Sequence, residues 1–167
     1  MRIIKIELPL KSEEIKMFTI RDKLLISGVL YTARDQAHLR LNQLIKEGKP
    51  LPFNLADSAL FYCGPAPTPP GKVCGAIGPT TSARMDKYTP LLLENGLKVM
   101  IGKGERSKEV TNAIRKHRAI YLICVGGISA LLSQTVVSCE TFCWKELGAE
   151  AIYRMEVKDF PGYVAII

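Results

Sequence analysis

Leu97-Lys98-Val99-Met100-Ile101-Gly102-Lys103-Gly104-Glu105-Arg106-Ser107 opens the most legible part of the chain. The apolar run Leu97 to Ile101 reads as a strand and ends in glycines on either side of Lys103. Ser107 is placed as the N-cap of a helix from Ser107 to His117. Ala119 to Val125 follows as a buried strand, then Gly126-Gly127, then a short helix from Ser129 to Thr135. Strand, glycine and helix recur in that order, which marks an α/β fold with a parallel layer.

Upstream, Ile3 to Leu8 alternates apolar and charged residues, as a strand with one wet face does. Ser12 to Ile15 reads as a capped helical turn. Lys23 to Thr32 is an apolar strand in which Gly28 signals a bulge or a close backbone approach. Arg34 to Glu47 follows a helical period, with Ala37, Leu41, Leu44 and Ile45 on one side and Gly48 closing it. Ala59 to Cys63 and Lys72 to Ile77 are short strand candidates within a proline-rich surface connection. Thr81 to Glu94 reads as a helix ended by Asn95-Gly96. Glu150 to Val157 and Tyr163 to Ile167 are closing strands. No fixed-period repeat appears, and one domain spanning residues 1–167 is expected.

Composition narrows the function. At 47% hydrophobic and 23% charged the chain is ordinary globular material. Its net charge of +7 suits an anionic ligand or an acidic partner surface. Only 7% of residues are aromatic and none interleave with a basic patch, so no nucleic-acid partner is expected. The apolar runs are too short to span a membrane, and Met1 to Lys5 does not resemble a secretory signal. Five cysteines, Cys63, Cys74, Cys124, Cys139 and Cys143, are read as reduced structural thiols of a cytoplasmic protein. His38 and His117 have no Cys or carboxylate at metal spacing, so no metal ligand is assigned in this chain.

The block Gly78-Pro79-Thr80-Thr81-Ser82-Ala83-Arg84-Met85-Asp86 reads as a tight turn feeding a helix start. Thr80 and Arg84 lie four residues apart and share one helical face. A hydroxyl, a guanidinium fork and a helix N-terminus aimed together suit a small carboxylate. A plain N-cap with a solvated arginine accounts for the same residues, and on spacing alone both readings stand. In an open α/β sheet, ligands gather beyond the carboxyl ends of strands. Arg34, Thr80 and Lys103 each follow such an end, and with Arg84 they bring three cations and a hydroxyl to one crevice. That charge matches a small dicarboxylate. The Gly-Lys-Gly-Glu-Arg-Ser run is not a phosphate-binding Walker loop. No electrophile to polarise a diacid is evident.

Thr32-Ala33-Arg34-Asp35-x-Ala37-His38, Gly64-Pro65, Gly78-Pro79-Thr80-Thr81-x-x-Arg84-Met85, Gly102-Lys103-Gly104 and Gly126-Gly127 occur in an order that is familiar. The chain resembles the β subunit of class I, iron–sulfur fumarate hydratases and L-tartrate dehydratases from about Leu8 to Ile167. The resemblance implies a swivelling β/β/α domain and a hydro-lyase interconverting fumarate and S-malate. It implies a [4Fe–4S] cluster held by a partner α subunit, whose iron supplies the missing electrophile, in an αβ hetero-oligomer (or a homodimer when isolated). By the same resemblance Arg34 and Arg84 bind substrate carboxylates and Thr80 is the base for the C3 proton. Lys103 binds carboxylate or lowers the apparent pKa of Thr80. Asp35 and His38 match the motif without an assigned role. The runs Gly102 to Ser107 and Asp159 to Gly162 look closer to fumarase than to tartrate dehydratase. The alternatives are an L-tartrate dehydratase β subunit and a non-catalytic diacid- or nucleic-acid-binding module.

Overall fold

A computed structural model describes residues 1–125 and 128–167. The Gly126-Gly127 turn of the sequence reading lies outside the described residues.

Seven strands form one sheet: β1 (Ile3–Glu7), β2 (Lys23–Thr32), β3 (Ala59–Phe61), β4 (Val99–Gly102), β5 (Ile120–Ile123), β6 (Val136–Cys143) and β7 (Ile152–Ile166). Their order is β1-β2-β3-β4-β5-β7-β6, with a further pairing between β2 and β7. That pairing closes β2, β3, β4, β5 and β7 into a five-stranded ring. The pairs β1–β2, β2–β3, β3–β4 and β4–β5 are parallel, as the strand-glycine-helix pattern requires. The pairs of β7 with β2, β5 and β6 are antiparallel. The sheet is therefore mixed: a parallel layer closed by a long antiparallel strand.

Two long strands make the closure possible. One edge of β2 pairs with β1 from Lys23 to Ser27 and with β3 at Tyr31 and Thr32. Its other edge runs along β7. Gly28 sits at the register shift in that ladder with φ 119°. A Cβ there would lie 3.0 Å from Leu8 Cβ, so both expectations for this glycine hold.

Alternation then sorts side chains into two cores. Ala59 and Phe61, Val99 and Ile101, Ile120 and Leu122 point into the ring with Leu24, Ile26 and Phe160. Leu60, Met100 and Tyr121 point outward under the helices α2 (Asp35–Lys46), α3 (Thr89–Glu94) and α4 (Lys108–Lys116). Strands buried on both faces read as unbroken apolar runs, which is why β4 and β5 were legible. The short α1 (Ser12–Ile15) and α5 (Ser129–Ser133) complete the helices of the described residues. Gly48 follows the end of α2 with φ 66°, and the Ser107 hydroxyl accepts from Val110 N at 3.1 Å to cap α4. No helix among the described residues is long and apolar enough to cross a membrane.

Three local expectations are corrected. Lys72 to Ile77 is not a strand, because Gly75 presses onto the Ala66 and Pro67 carbonyls and the loop folds back on itself. The two closing strands are one, β7, which continues through Asp159 at φ 54° and through Pro161. On one edge of β7 the β6 ladder ends at Val157 and the β5 ladder begins at Tyr163. Pro161 sits in the gap between them, where a missing N–H breaks neither ladder. The third correction, to the segment from Thr81 to Glu94, concerns the site.

Candidate active site

The sheet register brings the expected residues to one end of the ring. Thr32 pairs with Phe61, and Phe61 with Ile101, so the carboxyl ends of β2, β3 and β4 lie side by side. Arg34 leaves the first, Gly64 the second and Lys103 the third.

The segment after Pro79 is not the continuous helix expected. Ser82–Met85 is one 3-10 turn, and α3 begins only at Thr89. Two N–H groups of this block are already in use. Thr80 N donates to Tyr62 O at 2.7 Å and Ser82 N to Lys103 O at 3.0 Å. Thr81 forms a parallel bridge with Lys103. These bonds lay the block across the ends of β3 and β4 through a single bridge at Thr81. Side chains, not a helix dipole, carry the positive charge.

Arg84 Nη2 lies 2.9 Å from Thr80 Oγ1 and 3.1 Å from Asp35 Oδ1. Both hydrogens of that nitrogen are thereby engaged. Nη1 and Nε have no protein partner among the described residues, and the Arg84 side chain is 46% exposed. Half of a guanidinium fork thus faces outward, free for a carboxylate. Asp35, next to Arg34 in sequence, links the Arg34 and Arg84 segments.

Arg34 precedes the first turn of α2, whose Gln36 N donates to Glu150 Oε1 at 3.2 Å. Its side chain crosses Gly64, where a Cβ would lie 2.9 Å from Arg34 Cδ and 3.0 Å from its Nη1. Gly64 is therefore required by the arginine above it. Arg34 Nε is buried without a partner among the described residues. His38, wholly buried, donates from Nδ1 to Arg34 O at 2.8 Å and holds that backbone. Burial pushes the imidazole down to about 4, so it is neutral at physiological pH.

Lys103 is exposed on its loop, and its N–H donates to Ser82 Oγ at 3.1 Å. Ser82 is fully buried and its hydroxyl also meets Tyr121 Oη at 2.8 Å. The structure thus joins Thr80 to Arg84 directly and places the Lys103 backbone one bridge away. Arg34 stands over Gly64 at the neighbouring strand end.

The sequence reading missed Arg106. Its side chain is buried and forms an ion pair with Asp86 at 2.7 Å. The only signal was that an acid ends one glycine-led block and a base ends the next. Also missed was the segment Lys145–Glu150, whose Glu150 and Ala149 pack beside Arg34 and Gly64.

The face is open. A cavity of about 580 Å³ lies elsewhere, lined by Val73, Cys74, Ala130 and Val136 among others, and includes none of the four expected residues. Among the described residues no group of three or more His, Cys, Asp or Glu side chains is arranged to hold a metal ion. Burial pushes the Cys63 and Cys124 thiols up to about 12, and Cys139 and Cys143 up to about 11. Among the described residues no three of these thiols are grouped as an iron–sulfur cluster would need.

A closed ring of mixed parallel and antiparallel strands thus carries the Thr80–Arg84 pair at one end. The sequence profile described as Fumarase C-terminus matches residues 1–167, and the chain belongs to that family. It is 39% identical over 169 residues to "Fumarate hydratase class I, anaerobic" of Escherichia coli (strain K12), covering 98% of this chain and 31% of that protein. It is 38% identical over 156 residues to "Fumarate hydratase 1, mitochondrial" of Leishmania major, covering 92% of this chain and 28% of that protein. The chain spans less than a third of either fumarate hydratase. It is also 31% identical over 163 residues to "L(+)-tartrate dehydratase subunit beta" of Escherichia coli (strain K12), covering 95% of this chain and 80% of that subunit.

Proposed function

We propose that this chain is the β part of a hydro-lyase that interconverts fumarate and S-malate in the cytoplasm, active only when joined to an α part. The observation that carries the proposal is the Arg84 guanidinium, shared between Thr80 and Asp35 with its remaining N–H groups facing out.

That geometry supports the following roles. Arg84 presents Nη1 and Nε to one substrate carboxylate, and Arg34 binds the other. Thr80 Oγ1 takes the C3 proton of malate, and in the hydration direction its O–H returns a proton to that carbon. A threonine is a weak base, and the Arg84 N–H donated to its oxygen stabilises negative charge there. Lys103 adds a further positive charge for a carboxylate and for the same oxygen. A [4Fe–4S] cluster belongs, on this reading, to the α part, since no three thiols among the described residues are grouped to hold it. The open face of this chain would then be half of a site closed by that part, in a swivelling domain.

Fumarate is preferred because identity to a fumarate hydratase exceeds that to the tartrate dehydratase subunit, 39% against 31%. L-Tartrate dehydration is the second reading, favoured by length, since the chain spans 80% of the tartrate dehydratase subunit. Co-expression with an α part, anaerobic cluster assembly and parallel assays of fumarate hydration and L-tartrate dehydration decide between them. Activity toward neither acid rejects the hydro-lyase assignment.

A further inference from the structure

We infer that Arg106 is a positioning residue, whose buried guanidinium sets the Lys103 loop against the Thr80–Arg84 segment and so holds the cations of the site at working distance. The inference rests on the reading of that site given above.

Arg106 cannot touch a substrate, because its side chain is 0% exposed. Burying a guanidinium is expensive, and a close-packed apolar residue would serve stability as well or better. The arginine fits a different need, a planar fork that joins several segments at fixed geometry. Nε donates to Asp86 Oδ1 at 2.7 Å, Nη2 to Thr89 Oγ1 at 2.8 Å and Nη1 to Tyr62 Oη at 3.2 Å. Its Cζ sits 5.2 Å from the Tyr62 ring centre and 4.9 Å from that of Tyr121. The other Asp86 oxygen accepts from Ser107 N at 2.7 Å.

Three segments meet on this one side chain. Tyr62 marks the end of β3 and accepts Thr80 N at its carbonyl. Asp86 and Thr89 follow Arg84, and Ser107 ends the Lys103 loop. The Ser82–Lys103 bridge lies between them, with Tyr121 Oη reaching both Ser82 Oγ and Gly104 O at 2.8 Å. Moving Arg106 is therefore expected to shift Lys103 relative to Thr80, while β1, which pairs only with β2, lies away from these contacts.

The test uses the assembled αβ complex with Arg106→Lys, which keeps the charge and loses the fork, and Thr89→Val, which removes one bond of the fork. Steady-state kinetics are measured with fumarate and L-tartrate, and amide hydrogen exchange is followed at Ser82 and Lys103. For Arg106→Lys, kcat is expected to fall about 100-fold with a smaller change in KM, as misplacement of reacting groups produces. Exchange at Ser82 and Lys103 is expected to quicken while that of β1 is unchanged, with Thr89→Val acting in the same direction more weakly. A kcat within about twofold of the unsubstituted complex, or unchanged exchange at both amides, overturns the inference. Should Arg106→Lys fail to fold, the same two criteria apply to Thr89→Val. Should the unsubstituted complex act on neither acid, the hydro-lyase reading fails, and exchange alone decides the positioning role.

Discussion

Arg84 Nη2 bridges Thr80 Oγ1 at 2.9 Å and Asp35 Oδ1 at 3.1 Å, tying the end of β2 to the block that crosses β3 and β4. One nitrogen thus orients the hydroxyl while the rest of the fork stays open to solvent.

This bridge predicts distinct kinetic losses in the assembled complex. Thr80→Ala removes the proposed proton-transfer group and is expected to lower kcat by about 10²- to 10⁴-fold with little change in KM. Arg84→Lys keeps a charge but cannot reach Thr80, Asp35 and a carboxylate together, so kcat/KM should fall about 10- to 100-fold. Full activity of the Thr80→Ala complex would exclude the base role.

Gly102 has no room for a side chain. A Cβ there would lie 2.0 Å from Ser82 Oγ and 2.8 Å from Tyr62 Cδ2. Gly102→Ala must displace the serine that accepts Lys103 N. We expect a loss of about 1–3 kcal/mol, read from the urea midpoint. An unchanged midpoint would mean that Ser82 moves freely and does not anchor Lys103.

Asp22 makes stability depend on acid. Its side chain is 3% exposed, and it accepts from Arg2 Nε at 3.0 Å and from Thr19 N at 2.8 Å. The Arg2 hydrogen bond, with help from Thr19, holds the carboxyl down at about 2 against its ordinary 3.8. A depressed carboxylate stabilises above its ordinary value and loses that contribution as pH falls from 3.8 to about 2. Asp22→Asn should therefore be less stable than the parent chain at neutral pH, with the difference in denaturation midpoint closing near pH 2. A constant difference across that range would show that the carboxylate charge is not what matters.

His38 acts in a higher window. Burial, reinforced by the Arg106 charge, holds the ring near 4 against an ordinary 6.5. The unfolded chain takes up a proton between those values that the native chain refuses, so stability should fall as pH drops from 6.5 to about 4 and level off below. His38→Gln should flatten that part of the stability curve. An NMR titration placing the native imidazole near 6.5 would contradict the burial argument.

Much of the fold was legible because local chemistry and tertiary environment agree. The apolar runs of β4 and β5 are buried on both faces, and helices α2 and α4 carry Gly48 and the Ser107 cap where the pattern placed them. Legibility failed where contacts distant in sequence decide. Asp159, Pro161 and Gly162 look like a break, yet β2 pairs across them and β7 runs on. Thr81 to Glu94 has helical spacing, but the Lys103 backbone claims its first residues as a bridge.

The sequence by itself determined the α/β class and the family and singled out Arg34, Thr80, Arg84 and Lys103 as candidates, because residue type and spacing are local properties. Only the tertiary structure decided that β7 closes the ring, that Asp35 and Thr80 share Arg84, and that a buried Arg106 joins the two glycine-led blocks. Asp35 and Arg84 lie 49 residues apart and Asp86 and Arg106 lie 20 apart. Such pairs depend on which strands are neighbours, and strand order is set by packing of the whole chain rather than by any local pattern.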